Sequence, residues 1–132
     1  MVLEFQITSH KRNEMINIDE FLIRALEEQK IESGIALIFC PHTTAGITIN
    51  ENGDPDVQRD LLYLWEKLSP HYQEYRHFEG NSDAHGKSSI IGCSETVIIA
   101  GGRPIFGTWQ SLYFCEFDGP RHRKFYIKLM GD

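Results

Sequence analysis

Six apolar residues in a row, Ile35-Ala36-Leu37-Ile38-Phe39-Cys40, constrain the fold of this chain more than any other segment. A continuous apolar run this short, bounded by Gly34 and Pro41, reads as a buried central strand. With 132 residues in all, the chain is long enough for one ordinary domain and too short for two. The sheet around that strand therefore belongs to a single domain spanning residues 1–132.

The segments on either side supply the rest of the sheet. Leu3-Glu4-Phe5-Gln6-Ile7-Thr8 alternates apolar and polar, the pattern of a strand with one wet face. Met15 to Ile18 reads as a second short strand. Asp19 then stands as N-cap of a helix running to about Lys30, with Phe21, Leu22, Ala25 and Leu26 on one side. After the apolar run, the loop Pro41-His42-Thr43-Thr44-Ala45-Gly46 leads into a strand over Ile47–Asn50. The best-signalled helix follows: Asp54 caps it, Pro55 suits its first position, and Val57, Leu61, Leu64, Trp65 and Leu68 recur at helical spacing. Ser69 to Ser89 is polar, without apolar periodicity, and such a length of irregular chain is either disordered or functional. Thr96–Ala100, Ile105–Phe117 and Phe125–Met130 read as strands, separated by turns at Gly101-Gly102 and Gly119-Pro120. The fold class expected is α+β: a largely antiparallel or mixed sheet system with two main helices packed on it.

Charge and cysteine content exclude several functions. The net charge of −6 is opposite to the broad basic face that nucleic-acid binding requires. A small basic pocket for a phosphorylated metabolite is still compatible with it. No apolar run approaches the ~20 residues that cross a bilayer, and the start of the chain carries no export signal. The three cysteines, Cys40, Cys93 and Cys115, form no CxxC and suggest packing residues in a reducing cytoplasm.

The candidate chemistry lies in loops. His10, His71 and His122 sit in charged segments and read as surface residues. His42 follows a buried strand directly, where a rigid scaffold holds a loop side chain. His77 and His85 lie in the polar stretch with Asp83. Three neutral imidazoles can hold a divalent metal and leave a position open, zinc being the first choice, with Asp83 as a further ligand or a partner fixing a histidine tautomer. Hydrogen-bonded loop histidines are the structural alternative. Glu51, at the end of a strand, is a candidate general base or a magnesium carboxylate, whereas Asp54 and Asp56 suit helix capping. Thr43, Thr44, Lys87, Ser88 and Ser89 can wrap an anion. Arg121, after the Asp118-Gly119-Pro120 turn, can clamp a phosphate or pair with Asp118.

Five of these segments, in this order, carry a resemblance: Pro41-His42-Thr43-Thr44-Ala45-Gly46, Asn50 to Val57, Glu79-Gly80-Asn81-Ser82-Asp83-Ala84-His85, Gly107-Thr108-Trp109-Gln110 and Phe114 to Arg121. Together they resemble the YjbQ family, also called the secondary thiamine-phosphate synthase family, across nearly the whole chain. The resemblance implies a mostly antiparallel α+β fold, a homotrimer, and convergence of His42, His77 and His85 on a site able to take metal. It also implies an activity, the joining of an aminomethylpyrimidine diphosphate to a thiazole phosphate. The usual enzyme for that reaction is a (β/α)8 barrel of ~250 residues, which this chain cannot form. The site here must be an unrelated one.

Three readings follow for the function. One is an enzyme acting on phosphorylated small molecules, with Glu51, His42, His77 and His85 catalytic and Thr43, Thr44, Lys87, Ser88 and Arg121 on phosphate. The second is a zinc-dependent hydrolase with Glu51 as base. The third is a trimeric, non-enzymatic module binding a metabolite or metal. For the trimer, Trp109, Tyr113 and Phe117 face opposite Leu112 and Phe114 on one strand. A single small core is not expected to cover both of those faces.

Overall fold

The computed structural model describes all residues, Met1–Asp132. The chain runs β1 (Val2–Thr8), β2 (Glu14–Asn17), α1 (Asp19–Gln29), β3 (Gly34–Phe39), β4 (Ala45–Glu51), α2 (Pro55–Leu68), α3 (Ser82–Ile91), β5 (Ser94–Ala100), β6 (Arg103–Pro104), β7 (Gln110–Glu116) and β8 (His122–Gly131). Two sheets form, in the orders β1-β8-β3-β5-β6 and β2-β7-β4. Every pairing is antiparallel.

The apolar run is the central strand of the larger sheet, as its composition requires. Ala36 and Ile38 point inward with Val97 and Ile99 of β5 and Phe125 and Ile127 of β8. Against them pack Ile47 of β4, Leu112 and Phe114 of β7, and Leu22, Ala25 and Leu26 of α1. The main core thus lies between the two sheets, with α1 closing it. A second, smaller core lies on the other side of β7, where Tyr113, Cys115 and Phe117 meet Trp65 of α2 and Ala84 of α3.

Tyr113 and Phe117 on one face and Leu112 and Phe114 on the other are therefore covered within one chain and need no neighbouring subunit to bury them, whereas Trp109, in the turn before β7, stays 62% exposed. The cover comes from α3, a third helix lying inside the stretch read as irregular. The strand expected over Ile105–Phe117 is shorter: only β7 forms within it. Ile105 to Trp109 is irregular chain that ends in a turn where the Gln110 amide donates to the Gly107 carbonyl at 3.1 Å, and the two-residue β6 lies ahead of the expected start.

The capping expectations divide as well. Asp54 caps α2, its side chain accepting the Asp56 amide at 2.9 Å. Asp19 lies within α1 instead of capping it, because β7 claims its carboxylate. Oδ1 accepts the Leu112 amide at 2.8 Å and Oδ2 the Ser111 hydroxyl at 2.6 Å. No helix is long and apolar enough to cross a membrane.

Candidate functional site

The loop after β3 is held from below by a buried ion pair. Glu116 and Arg123 sit at inward positions of β7 and β8, and their side chains are nearly solvent-free. Arg123 Nε donates to Glu116 Oε1 at 2.8 Å, and Nη2 donates to the other carboxylate oxygen and to Thr44 Oγ1 at 2.8 Å. Ser9 Oγ and the amides of Phe117 and Asp118 complete the carboxylate's partners. Burial alone would raise the Glu116 pKa. The hydrogen bonds from Arg123, Ser9 and Asp118, with the guanidinium charge, outweigh burial and hold it below the ordinary value. A buried ion pair is stable only when so fully satisfied.

His42 projects from this braced loop. Its Nε2 lies 3.1 Å from the Lys124 amide and 3.0 Å from the Lys124 carbonyl, so the tautomer decides which one it engages. Burial and then the nearby Arg123 charge lower its pKa below 6.5. The ring is consequently neutral at pH 7, fit to accept a proton and not to serve as a fixed cation.

α3 supplies the opposite wall, and its two sides do different work. Asp83 and Lys87, one helical turn apart, are buried on one side. Asp83 accepts both bonds from Arg12 Nη2 at 3.2 Å, and Lys87 pairs with Glu66. The other side carries His85, Ser88 and Ser89, which face His42. Together with Thr43, Gly92 and Cys93 these residues line an open cleft of about 460 Å³. Ser88 Oγ donates to the Ala45 carbonyl at 2.6 Å, which fixes α3 against β4 and commits that hydroxyl hydrogen. Ser89 is exposed and Thr43 stands on the rim, so both hydroxyls are free to donate. His77 stands beside His85, the two rings 5.4 Å apart and nearly perpendicular.

The expected site residues thus fall into two sets. His42, His85, Thr43 and Ser88 share the cleft, with His77 adjoining it. Thr44 lies just beneath, bound to Arg123. Asp83 and Lys87 are turned away into ion pairs on the far side of α3. Arg121 is engaged at its own turn, where Nε donates to the Asp118 carbonyl at 2.8 Å and Nη2 to Asp118 Oδ2 at 2.9 Å. Glu51 lies at the far end of β4, and the strand rise puts it ~20 Å from Ala45. There it borders a separate cleft of about 310 Å³ with Trp109 and Gln110. No three His, Cys, Asp or Glu side chains converge closely enough to hold a metal ion.

Glu116 and Arg123 are the residues that reading the sequence misses. The signal was available: both occupy inward positions of otherwise apolar alternations, Leu112-x-Phe114-x-Glu116 and Arg123-x-Phe125-x-Ile127. Opposite charges at such positions imply a buried pair.

The model of the UPF0047 protein YjbQ-like family matches residues 3–132. The chain is 52% identical to a UPF0047 protein of Methanocaldococcus jannaschii, over 100% of this chain and 96% of that one. It is 56% identical to the UPF0047 protein YugU of Bacillus subtilis, over 99% and 100% of the two chains. Among solved structures, a YjbQ/UPF0047 protein of Clostridium acetobutylicum superposes with a TM-score of 0.94 at 47% identity, covering 97% of this chain and 99% of that one. A YbjQ-like protein of unknown function from Sulfolobus solfataricus gives the same TM-score at 25% identity, covering 100% and 97%.

Proposed function

The chain belongs to the YjbQ-like UPF0047 family, and from that premise we propose that it is an enzyme acting on a phosphorylated small molecule in the His42–His85 cleft. The observation that carries this reading is the composition of the wall. In a chain of net charge −6, the cleft contains no carboxylate. It offers imidazoles and hydroxyls, donors that suit an anion, with Arg123 behind Thr44 already neutralised by Glu116.

Thiamine-phosphate synthesis is the specific reaction we assign to it, as a secondary activity. That reaction forms a bond from the thiazole nitrogen to the pyrimidine methylene while the methylene–oxygen bond breaks and pyrophosphate leaves. Negative charge then gathers on the pyrophosphate oxygens. Donors aimed at that charge accelerate the step, here the Thr43 and Ser89 hydroxyls and His85. Neutral His42 lines the same cleft and can hydrogen-bond the substrate; the step releases no proton and asks no base of it.

A divalent metal does not fit a three-ligand centre within one chain, because Asp83 is committed to Arg12 and no third donor joins His77 and His85. No step is therefore routed through one. The test measures melting of the purified protein with inorganic pyrophosphate, thiazole phosphate and unphosphorylated thiazole alcohol. A rise with the phosphorylated ligands only is expected. His85→Ala should abolish that rise while leaving the unliganded melting temperature in place. Equal shifts with phosphorylated and unphosphorylated ligands would overturn the proposal. Shifts without turnover of the two substrates would make the chain a binding module. One zinc per chain by elemental analysis would point to the metal-dependent hydrolase.

A further inference from the structure

We propose that Cys40 and Cys93 form a reversible disulfide in the wall of the cleft. The two residues are 53 apart in sequence, and the β3–β5 ladder brings them face to face. That ladder pairs Ile38 with Glu95 and Phe39 with Ser94, so the next step sets Cys40 opposite Cys93. The Cys40 amide donates to the Cys93 carbonyl at 2.8 Å, which continues the pairing one position past the strands. Side chains alternate along a strand, so Cys40 shares the inward face of Ala36 and Ile38, and Cys93 that of Val97.

The spacing suits a cross-link. Residues opposite each other in a hydrogen-bonded antiparallel pair have Cα atoms ~5.5 Å apart, inside the roughly 4.4–6.8 Å window of disulfides. The Cβ atoms must still approach to about 3.8 Å. The position is the open end of the ladder, where such a movement is least resisted. Cys93 precedes β5; a Cβ on Gly92 beside it, at φ +92°, would meet nothing within 4 Å. The Gly92 amide donates to the Ser88 carbonyl and its own carbonyl accepts the Ile47 amide, so the movement falls on Cys93 itself.

The three cysteines are also unequally placed. Cys93 is exposed in the cleft, while Cys40 and Cys115 are buried. Cys115 lies in the second core, on the other face of β7, packed with Tyr113 and Phe117. An oxidant therefore meets Cys93 first, and the partner in register is Cys40. With a peroxide, the Cys93 thiolate displaces hydroxide from the O–O bond and becomes a sulfenic acid. The Cys40 sulfur then attacks the Cys93 sulfur and expels water. Overall two thiols and one peroxide give one disulfide and two waters, the cysteines losing two electrons that the peroxide gains. In a reducing setting such a bond is transient and serves as a sensor.

The cross-link would reach the cleft directly. Cys40 lies two residues before His42 and its amide is hydrogen-bonded to Cys93, so drawing its sulfur toward Cys93 disturbs the loop carrying that ring. It also moves Cys93 out of the wall shared with His42, His85 and Ser89. This consequence rests on the proposed function; formation of the bond does not.

The experiment treats the full chain with hydrogen peroxide, blocks remaining thiols under denaturing conditions, and maps peptides without reduction. A linked Cys40–Cys93 pair is expected, with free thiols falling from three to one and returning with dithiothreitol. Cys40→Ser should stop the reaction at an oxidised Cys93, and Cys93→Ser should leave Cys40 reduced. A Cys40–Cys115 link, a Cys93–Cys93 link between chains, or only over-oxidised Cys93 in the wild type would overturn the proposal. In parallel, the melting shift with pyrophosphate should vanish in the oxidised protein and recover on reduction. A disulfide with no pyrophosphate shift in either state would retain the redox pair and remove only the phosphate reading.

Discussion

Arg121 and Arg123 are two residues apart and make ion pairs of opposite thermodynamic character. Arg121 is half exposed and bonds Asp118 within its own turn, in a geometry that water can largely replace. Arg123 is 7% exposed and its partner Glu116 is solvent-free. Removing one member of a buried pair leaves an uncompensated charge, so Arg123→Ala should cost about 3–5 kcal/mol of stability. Arg121→Ala should cost at most about 1 kcal/mol. Denaturant unfolding of the two variants checks the contrast, and equal losses would refute it. The same pair predicts an acid limb. The folded pKa of Glu116 is depressed, so its contribution is fully present above the unfolded carboxylate value of 4.5. It is lost as pH falls from there through the folded value. His42 adds a second limb in the same direction. Its folded pKa lies below 6.5, so the unfolded chain binds more protons in that interval and stability falls as pH drops below 6.5. Nuclear magnetic resonance titration of the His42 ring should give a midpoint below 6.5, and a midpoint above it would show that burial and the Arg123 charge together do not depress the ring.

α2 and α3 show which elements a sequence reveals. Asp54, Pro55 and the Val57-to-Leu68 periodicity announce α2, because its partners are apolar and its cap is local. α3 is hidden because the groups it buries are polar. Asp83, Lys87 and Ser88 take their partners from Arg12, Glu66 and Ala45, all remote in sequence. Polar burial has no hydrophobic period, so the helix reads as a loop. The candidate site was legible to the same degree: His42, Thr43 and His85 stood out as loop residues that a scaffold could present. That Asp83 and Lys87 turn away was not legible, since it follows from the helical phase of an unseen helix. α3 also depends on Gly86, where a Cβ would meet Ser69 Oγ at 2.2 Å. Ser69 can rotate clear only by giving up its 3.0 Å bond to the Asp83 carbonyl. Alanine favours the helix intrinsically by ~1 kcal/mol, yet Gly86→Ala should destabilise the chain by about 1–3 kcal/mol. In a Ser69→Ala background the obstacle is gone and the same substitution should become neutral or stabilising. A double-mutant cycle reads this coupling directly, and additive effects would show that the contact is not the cause.

At the scale of the whole molecule, the unpartnered surface is the outer face of the larger sheet. The apolar run predicts a buried central strand, and the inward residues Ala36 and Ile38 of β3 are buried; its outer residue Phe39 is exposed. Ile98 of β5 stands across the ladder from Ile35, with Met130 of β8 on the other side of Ile35. Ile98 is 61% exposed and Met130 40%. An apolar surface of this kind on the middle of a sheet is a candidate site for association. A homotrimer predicted on this chain therefore uses that face, and not the β7 face, which α2 and α3 already cover. A closed threefold ring needs two different patches per subunit. The exposed Tyr63, Leu64 and Leu68 of α2, on the opposite side of the molecule, are a candidate for the second. Light scattering at micromolar concentration should then give a mass near three times 15.2 kDa. Ile98→Glu puts a charge on the exposed face without entering the core, so it should yield a folded monomer with wild-type far-ultraviolet circular dichroism. Leu64→Glu should do the same if α2 supplies the other half of the contact. Mixing the two monomeric variants offers the sharper reading. In a head-to-tail contact each variant retains one intact patch, so mixed dimers should form but no ring should close. A trimer unaffected by Ile98→Glu would place the interface elsewhere, and a wild-type mass of 15.2 kDa would leave the outer face to another partner.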